Sequence, residues 1–167
     1  GIPADTPLII GAGDAPLANI GAGAVDDGSM AINVGTSAAA RVLTTQPQVD
    51  SAGRLWTYVA DEDHWVMGGI IGSGGAAYEW LLKRLLFAQR HLPLDELFRE
   101  ADRLADGAPA GADELLFIPY LSGEQSPGWK PESRGLIYGM TFQHEPGHFV
   151  RAAVEGAAFA LLRVANA

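Results

Sequence analysis

Residues 30–43 have the sequence MAINVGTSAAARVL, in which two apolar segments flank the short polar turn Gly35-Thr36-Ser37. Short apolar segments separated by a glycine-containing turn are typical of a β-hairpin. The sequence therefore predicts two antiparallel strands, Met30–Val34 and 38–43, with the turn exposed between them.

The segments on either side of this hairpin predict further strands first and mostly helices later. The other predicted strands are 8–10, 55–59, 64–70, 115–118 and 135–140, and the predicted helices are 16–24, 76–90, 94–105 and 146–167. Strands that cluster early and helices that cluster late favour a mixed α/β or α+β class with one domain.

Composition and charge exclude several classes of function. The chain has 48% hydrophobic and 19% charged residues, which is typical of a folded soluble protein. Its net charge of −9, with only 11 lysines and arginines, argues against a nucleic-acid partner. The absence of cysteine removes disulfides and thiolate chemistry and is compatible with a reducing, cytoplasmic compartment. The most apolar stretch, 154–167, is shorter than the ~20 residues of a membrane span, so no membrane partner is expected.

Asp14 is the first candidate for chemistry, because it follows Gly11 and Gly13 at a predicted strand-to-helix junction. A carboxylate held there could act as a general base toward a substrate hydroxyl. Spacing alone favours a role as the N-cap of the helix that follows, and the two roles are compatible.

Two glycine-containing turns are candidates for binding an anion. Consecutive backbone N–H groups at Gly35-Thr36-Ser37 can form a concave anion site, to which a hydroxyl adds a donor. The cluster Gly72-Ser73-Gly74-Gly75 precedes a predicted helix, and helix N-termini favour phosphate. Taken singly, each is as compatible with an ordinary turn.

Two other features have simpler interpretations. Residues 144–148, HEPGH, match the zinc-protease pattern, but Pro146 and Gly147 prevent a continuous helix through both histidines, so we expect a loop with Pro146 in the first turn of the last helix. Of the four tryptophans, Trp56, Trp65 and Trp80 are expected in the core. Trp129, in the long irregular segment 119–134, is the candidate for stacking on a sugar.

Seven short motifs occur in a characteristic order along the chain. They are Gly11-Ala12-Gly13-Asp14, Gly21-Ala22-Gly23, Gly35-Thr36-Ser37, Gly74-Gly75-Ala76 before Trp80-Leu81, Pro119-Tyr120-Leu121-Ser122-Gly123-Glu124, Arg134-Gly135 and Arg151-Ala152-Ala153-Val154-Glu155-Gly156. In order and spacing they resemble the FGGY family of carbohydrate kinases. A second set most resembles the gluconate kinase branch, namely Pro47-Gln48, Asp50, Gly53-Arg54, Tyr58, His64-Trp65-Val66 and Gly68-Gly69.

The resemblance implies a ribonuclease-H-like domain of the actin-like ATPase superfamily, with residues 1–167 as part of the second domain of a sugar kinase. It implies ATP and Mg²⁺ as cofactors and a sugar or sugar acid, gluconate above all, as substrate. The family's catalytic base falls on Asp14 and its phosphate-binding turn on Gly35, Thr36 and Ser37. Gly74 and Gly75 fall where the family lines the nucleotide phosphates or the cleft. No protein metal ligand is implied.

The same resemblance implies that an N-terminal kinase domain and a later adenosine-binding segment are missing, so this piece alone should be inactive. Apolar faces left bare by their absence predict self-association. Departures from the family pattern at Ala15, Gln125 and Lys130 bear on the substrate more than on the chemistry. The alternative is a non-catalytic module that keeps the fold and binds a nucleotide or a partner.

Overall fold

The computed structural model describes residues 2–7, 11–26, 28–90 and 92–167, so the strand expected at 8–10 lies outside the described residues. In chain order the elements are α1 (Asp14–Gly21), β1 (Met30–Val34), β2 (Ala38–Thr44), β3 (Trp56–Val59), β4 (Trp65–Ile71), α2 (Gly75–Trp80), a π-helical segment (Leu81–Leu86), α3 (Leu94–Asp106), a 3-10 turn (Ala112–Glu114), β5 (Leu116–Ile118), β6 (Leu136–Tyr138) and α4 (Pro146–Ala165). The mixed α/β class expected from the sequence is confirmed.

Four of the strands form one antiparallel sheet in the order β1-β2-β4-β3. The hairpin predicted from residues 30–43 is confirmed, with Val34 opposite Ala38 at the turn and Met30 opposite Val42 at the far end. A second, two-stranded sheet pairs β5 with β6. In the larger sheet β1 and β3 are therefore the edge strands.

Helices cover both faces of the larger sheet. On one face, Ala38, Ala40 and Ile71 are buried against Ala160, Leu161 and Val164 of α4. The opposite face carries the buried side chains of Ala39, Leu43 and Val66, and α1 contacts β1, β2 and β4. Since alternate residues of a strand point to opposite faces, each strand contributes to both layers.

The helix expected over 76–90 is shorter and less regular than predicted. It is α-helical only over Gly75–Trp80, continues as a π-helix over Leu81–Leu86, and ends before Phe87. Leu81 and Leu82 are both fully buried but belong to two different core clusters. Phe87 does not continue the helix but packs with Leu97, Ala101 and Val150. Burying this ring therefore stabilises the chain more than further helical hydrogen bonds would.

The start of α4 confirms the interpretation of residues 144–148. Pro146 is the first helical residue, and Glu145 is the N-cap of a capping box with His148. The Nε2 atom of His144 lies 3.0 Å from the carbonyl oxygen of Asp113, and that of His148 lies 3.2 Å from the Asp113 carboxylate, so both histidines tie the start of α4 to the 3-10 turn. Within the described residues, no helix is both long and apolar enough to cross a membrane.

Candidate functional site

The turn Gly35-Thr36-Ser37 rests on the N-terminus of α2. The N–H of Gly75 donates to the carbonyl oxygen of Gly35 at 2.7 Å, and the N–H of Ala76 donates to that of Thr36 at 3.0 Å. A Cβ at position 75 would lie 2.6 Å from the Gly35 oxygen, and one at Gly74 would lie 2.9 Å from Ala38 and Ser37. Both glycines are thus required for the close approach of the turn to the helix.

This docking leaves the donors of the turn available. The carbonyl groups of Gly35 and Thr36 accept from α2, and the N–H groups of Thr36 and Ser37 have no hydrogen-bond partner in the described part of the chain. Their two hydroxyls likewise have no side-chain hydrogen bond there, and Thr36 is exposed. The turn therefore offers adjacent backbone and hydroxyl donors of the kind that bind phosphate oxygens.

Asp14 is the first residue of α1, and its side chain is exposed. The N-cap position belongs to Gly13, and no side-chain cap hydrogen bond is formed, so the N-cap role considered for Asp14 is wrong. Helix α1 begins earlier than expected because Pro16 fits within its first turn, where no intrahelical N–H bond is lost. The Asp14 carboxylate is therefore not engaged in capping its own helix.

Arg41, Trp56 and Tyr58 lie on one face of the sheet, which α1 contacts, and α1 begins with Asp14. Burial raises the pKa of the Tyr58 hydroxyl above its ordinary value; the Arg41 guanidinium opposes this rise, and the negative charge of Asp14 adds to it. The rings of Trp56 and Tyr58 are stacked, with centroids 4.4 Å apart. Trp56 is only partly buried, and Trp80, also expected in the core, is 39% exposed.

The long segment 119–134 makes polar contacts with α4 and with the chain just before β3 and just after β4. The Ser122 and Ser73 hydroxyl oxygens are 2.9 Å apart, and Glu124, 5% exposed, forms a 2.9 Å ion pair with Arg163 of α4. That pair lacks hydrogen-bond geometry, since the Glu124 oxygen has no hydrogen-bond partner among the described residues. The Trp129 indole N–H donates to the Arg54 carbonyl oxygen at 3.0 Å, which orders the candidate stacking residue.

Arg54 is itself held by Asp50. The Asp50 carboxylate accepts hydrogen bonds from the Arg54 side chain and from the N–H groups of Ala52, Arg54 and Leu55. The Arg54 guanidinium holds the pKa of that carboxyl well below its usual range, against the opposing effect of burial. This rigid turn fixes the point to which Trp129 is attached.

The structure brings the predicted residues together in two groups. Gly35, Thr36 and Ser37 join Gly74 and Gly75, whereas Asp14 belongs with Arg41 and Tyr58. No hydrogen bond in the described part of the chain links Asp14 to the first group. Sequence reasoning missed Arg41 and the Glu124–Arg163 pair, because both depend on contacts between elements that are distant in the sequence.

The comparisons with known proteins define the class. The C-terminal domain of the FGGY family of carbohydrate kinases matches residues 30–167. The chain belongs to this family, and with it to the actin-like ATPase fold.

Individual relatives point to sugar kinases. The chain is 39% identical to a gluconokinase of Bacillus subtilis over 98% of its own length. The structures of a xylulose kinase and of a gluconate kinase from Lactobacillus acidophilus each cover 99% of the chain, with TM-scores of 0.87 and 0.86 and identities of 37% and 38%. The chain spans about a third of these relatives, namely 33% of the gluconokinase and 32% of each structure.

Proposed function

We propose that the parent protein transfers a phosphoryl group from ATP to a hydroxyl group of gluconate, and that this chain is part of its second domain. The observation that carries the proposal is the phosphate-type turn 35–37, docked on α2 through Gly74 and Gly75 with its own donors unpaired among the described residues. A sequence identity of 39% to a gluconokinase, over 98% of the chain, supports the choice of substrate.

In this proposal Asp14 is the general base. Its carboxylate is exposed and free of a cap hydrogen bond, so it can accept the proton of the substrate hydroxyl. The N–H groups and hydroxyls of Thr36 and Ser37 bind phosphate oxygens. In phosphoryl transfer most of the rate enhancement comes from such positioning and charge stabilisation.

Mg²⁺ is proposed to accompany ATP rather than to occupy a site of protein ligands. Among the described residues no group of three or more His, Asp or Glu side chains could hold a metal ion. This fits Mg²⁺, which commonly keeps several waters and binds through substrate phosphates with few carboxylates. When bound, the ion would neutralise charge on the phosphates.

The missing first domain is proposed to close the site from the other side. The relatives are about three times as long as this chain, since it covers 33% of the gluconokinase. We propose a cytoplasmic enzyme in which that domain contributes further contacts to the nucleotide and the sugar.

A coupled ADP-release assay on the full-length protein tests the function. Gluconate, xylulose, glycerol, ribulose and fuculose are compared, and gluconate is expected to give the highest kcat/KM. A higher kcat/KM for xylulose would overturn the choice of gluconate as substrate but would leave the proposed kinase activity standing. ADP release at the background rate with every substrate would instead favour a non-catalytic module that binds a nucleotide or a partner.

A further inference from the structure

Arg41 presents an unpaired buried donor on the face of the sheet that α1 covers. Side chains alternate along β2, and Ala38 and Ala40 pack against α4, so the Arg41 side chain points to the opposite face. Its Nε atom is buried and has no hydrogen-bond partner in the described part of the chain. A buried donor without an acceptor is costly. The guanidinium also acts on the Tyr58 hydroxyl as a side-chain hydrogen-bond donor, and the Arg41 side chain is only half-buried, so a further acceptor can approach it from outside.

Gly68 makes room for this side chain. Position 68 of β4 lies directly opposite Arg41, and Trp56 of β3 lies directly opposite Gly68, so the three share one row and one face. A Cβ at position 68 would lie closest to the backbone carbonyl oxygen of Ala40, and 2.9 Å from both the Cα and the Cγ atoms of Arg41. Glycine at position 68 is therefore required first by the close approach of the β2 backbone, and the absence of a side chain there also leaves space for the Arg41 stem.

Arg41 is also tied to the helix that begins with Asp14. The side-chain amide of Asn19, which is fully buried in α1, donates to the Arg41 carbonyl oxygen at 3.2 Å. The charges of Arg41 and Asp14 both act on the Tyr58 hydroxyl. A cation, a carboxylate and the stacked Trp56–Tyr58 pair thus border the same part of the surface.

We propose that the Arg41 guanidinium binds the carboxylate of a sugar-acid substrate whose hydroxyl group is deprotonated by Asp14. This inference rests on the proposed function and names the residue that selects an acid over a neutral polyol. Guanidinium N–H groups match carboxylate oxygens in geometry and charge. In a chain with a net charge of −9, a local cation favours the approach of an anionic substrate.

The test compares gluconate with gluconamide, which has the same hydroxyl groups but no charge, on the full-length protein. We expect wild type to favour gluconate over gluconamide in kcat/KM, and Arg41→Gln to lower kcat/KM for gluconate by about 10- to 100-fold, mainly through KM. Gluconamide should be little affected. Arg99→Gln is the matched control, because Arg99 is a 69%-exposed arginine paired with Asp95 on α3.

Two further arms keep the proposal falsifiable. Arg41→Lys retains the charge but not the paired donors, so an intermediate KM for gluconate is expected even if Arg41→Gln fails to fold. Calorimetric titration of wild type should show tighter binding of gluconate than of gluconamide. Equal losses with both substrates would identify Arg41 as a counter-ion of Asp14 and overturn the inference. If the wild-type protein phosphorylates another sugar but neither gluconate nor gluconamide, both the proposed substrate and this inference are wrong.

Discussion

At the scale of single residues, the chemical role proposed for Asp14 can be tested separately from any structural role. Its carboxylate is exposed and is not the N-cap of α1, so amidation should leave the helix intact. We expect Asp14→Asn in the full-length protein to lower kcat by about 10²- to 10⁴-fold, because a positioned general base contributes that much. The KM for ATP should change little. Coupled ADP release and thermal melting measure the two effects.

Asp26→Asn is the control for this prediction, since Asp26 is another exposed carboxylate near the start of the chain. It should leave kcat unchanged. Near-normal turnover of Asp14→Asn would mean that the proton is accepted elsewhere, and a large fall in melting temperature would mean that the carboxylate supports the fold.

Local sequence could indicate Asp14 and the turn 35–37, because glycines next to a carboxylate or within a short turn are typical of places where the backbone closely approaches a ligand. It could not indicate Arg41. An arginine in a strand normally reaches solvent, and what distinguishes Arg41 is Gly68, which lies far along the chain but directly across the sheet. The special position of Arg41 follows only from the register of β2 against β4 and from the hydrogen bond that Asn19 donates to the Arg41 carbonyl oxygen.

At the scale of elements, the contact between the turn 35–37 and α2 predicts the effect of a single methyl group. In Gly75→Ala the new Cβ would lie 2.6 Å from the Gly35 carbonyl oxygen, so the turn must move away from the helix. Displacements of about 1 Å at a site can cost on the order of 100-fold, and we expect kcat/KM for ATP to fall by about 10- to 100-fold. Steady-state kinetics on the full-length protein measure it.

Gly107→Ala is the matched control. A Cβ at position 107 would have the Leu104 carbonyl oxygen as its nearest neighbour at 3.5 Å, which is ordinary contact, and the backbone there has φ −78°. This variant should keep the kinetics of wild type. If Gly75→Ala were equally active, the docking of the turn on α2 would not position the phosphates.

Glu155 links α4 to the loop before the 3-10 turn and predicts a pH dependence. Its carboxylate accepts from the Gly111 N–H at 3.1 Å and from Arg151 Nε at 2.6 Å. Burial raises the pKa of Glu155, but these donors outweigh it and leave the pKa below the ordinary value of 4.5. The stabilisation is therefore present above pH 4.5 and is lost as pH falls through the lowered pKa.

We expect Glu155→Gln to lower the melting temperature of the full-length protein by roughly 2–4 °C at pH 7. The difference from wild type should shrink as the pH falls below 4.5 and should disappear once the pH is below the lowered pKa of Glu155 in the folded protein. Glu132→Gln is a suitable control, because Glu132 is exposed and forms no ion pair among the described residues. A difference that is constant from pH 7 to about pH 3 would contradict the ionic origin of the effect.

Elements with strong local periodicity were predictable, and those shaped by distant contacts were not. The hairpin, α3 and α4 follow directly from alternating or helical apolar patterns. The end of the π-helical segment at Leu86 does not follow from the local pattern, which predicts a helix up to residue 90. Its position is decided by the pocket that α3 and α4 offer to the Phe87 ring.

At the scale of the whole molecule, the edge strand β1 and α4 expose several apolar side chains, and part of this apolar surface lines one groove. On the edge strand β1, Ile32 and Val34 are each 59% exposed, and on α4 Val154 and Leu162 are 50% and 54% exposed. Val34, Val154 and Leu161 line the same groove between the sheet edge and the helix. Unpaired strand edges and large apolar patches favour association.

The 167-residue chain, expressed by itself, is therefore expected to self-associate through this surface. A positive charge on an edge strand opposes strand pairing, so Val34→Lys should shift the chain toward the monomer. Val49→Lys is the control, because Val49 is 87% exposed but belongs to the connection between β2 and β3. Sedimentation velocity over a range of concentrations should show species above the 17.6 kDa monomer for wild type and Val49→Lys. A monomeric wild type at every concentration would show that this apolar surface is tolerated in water.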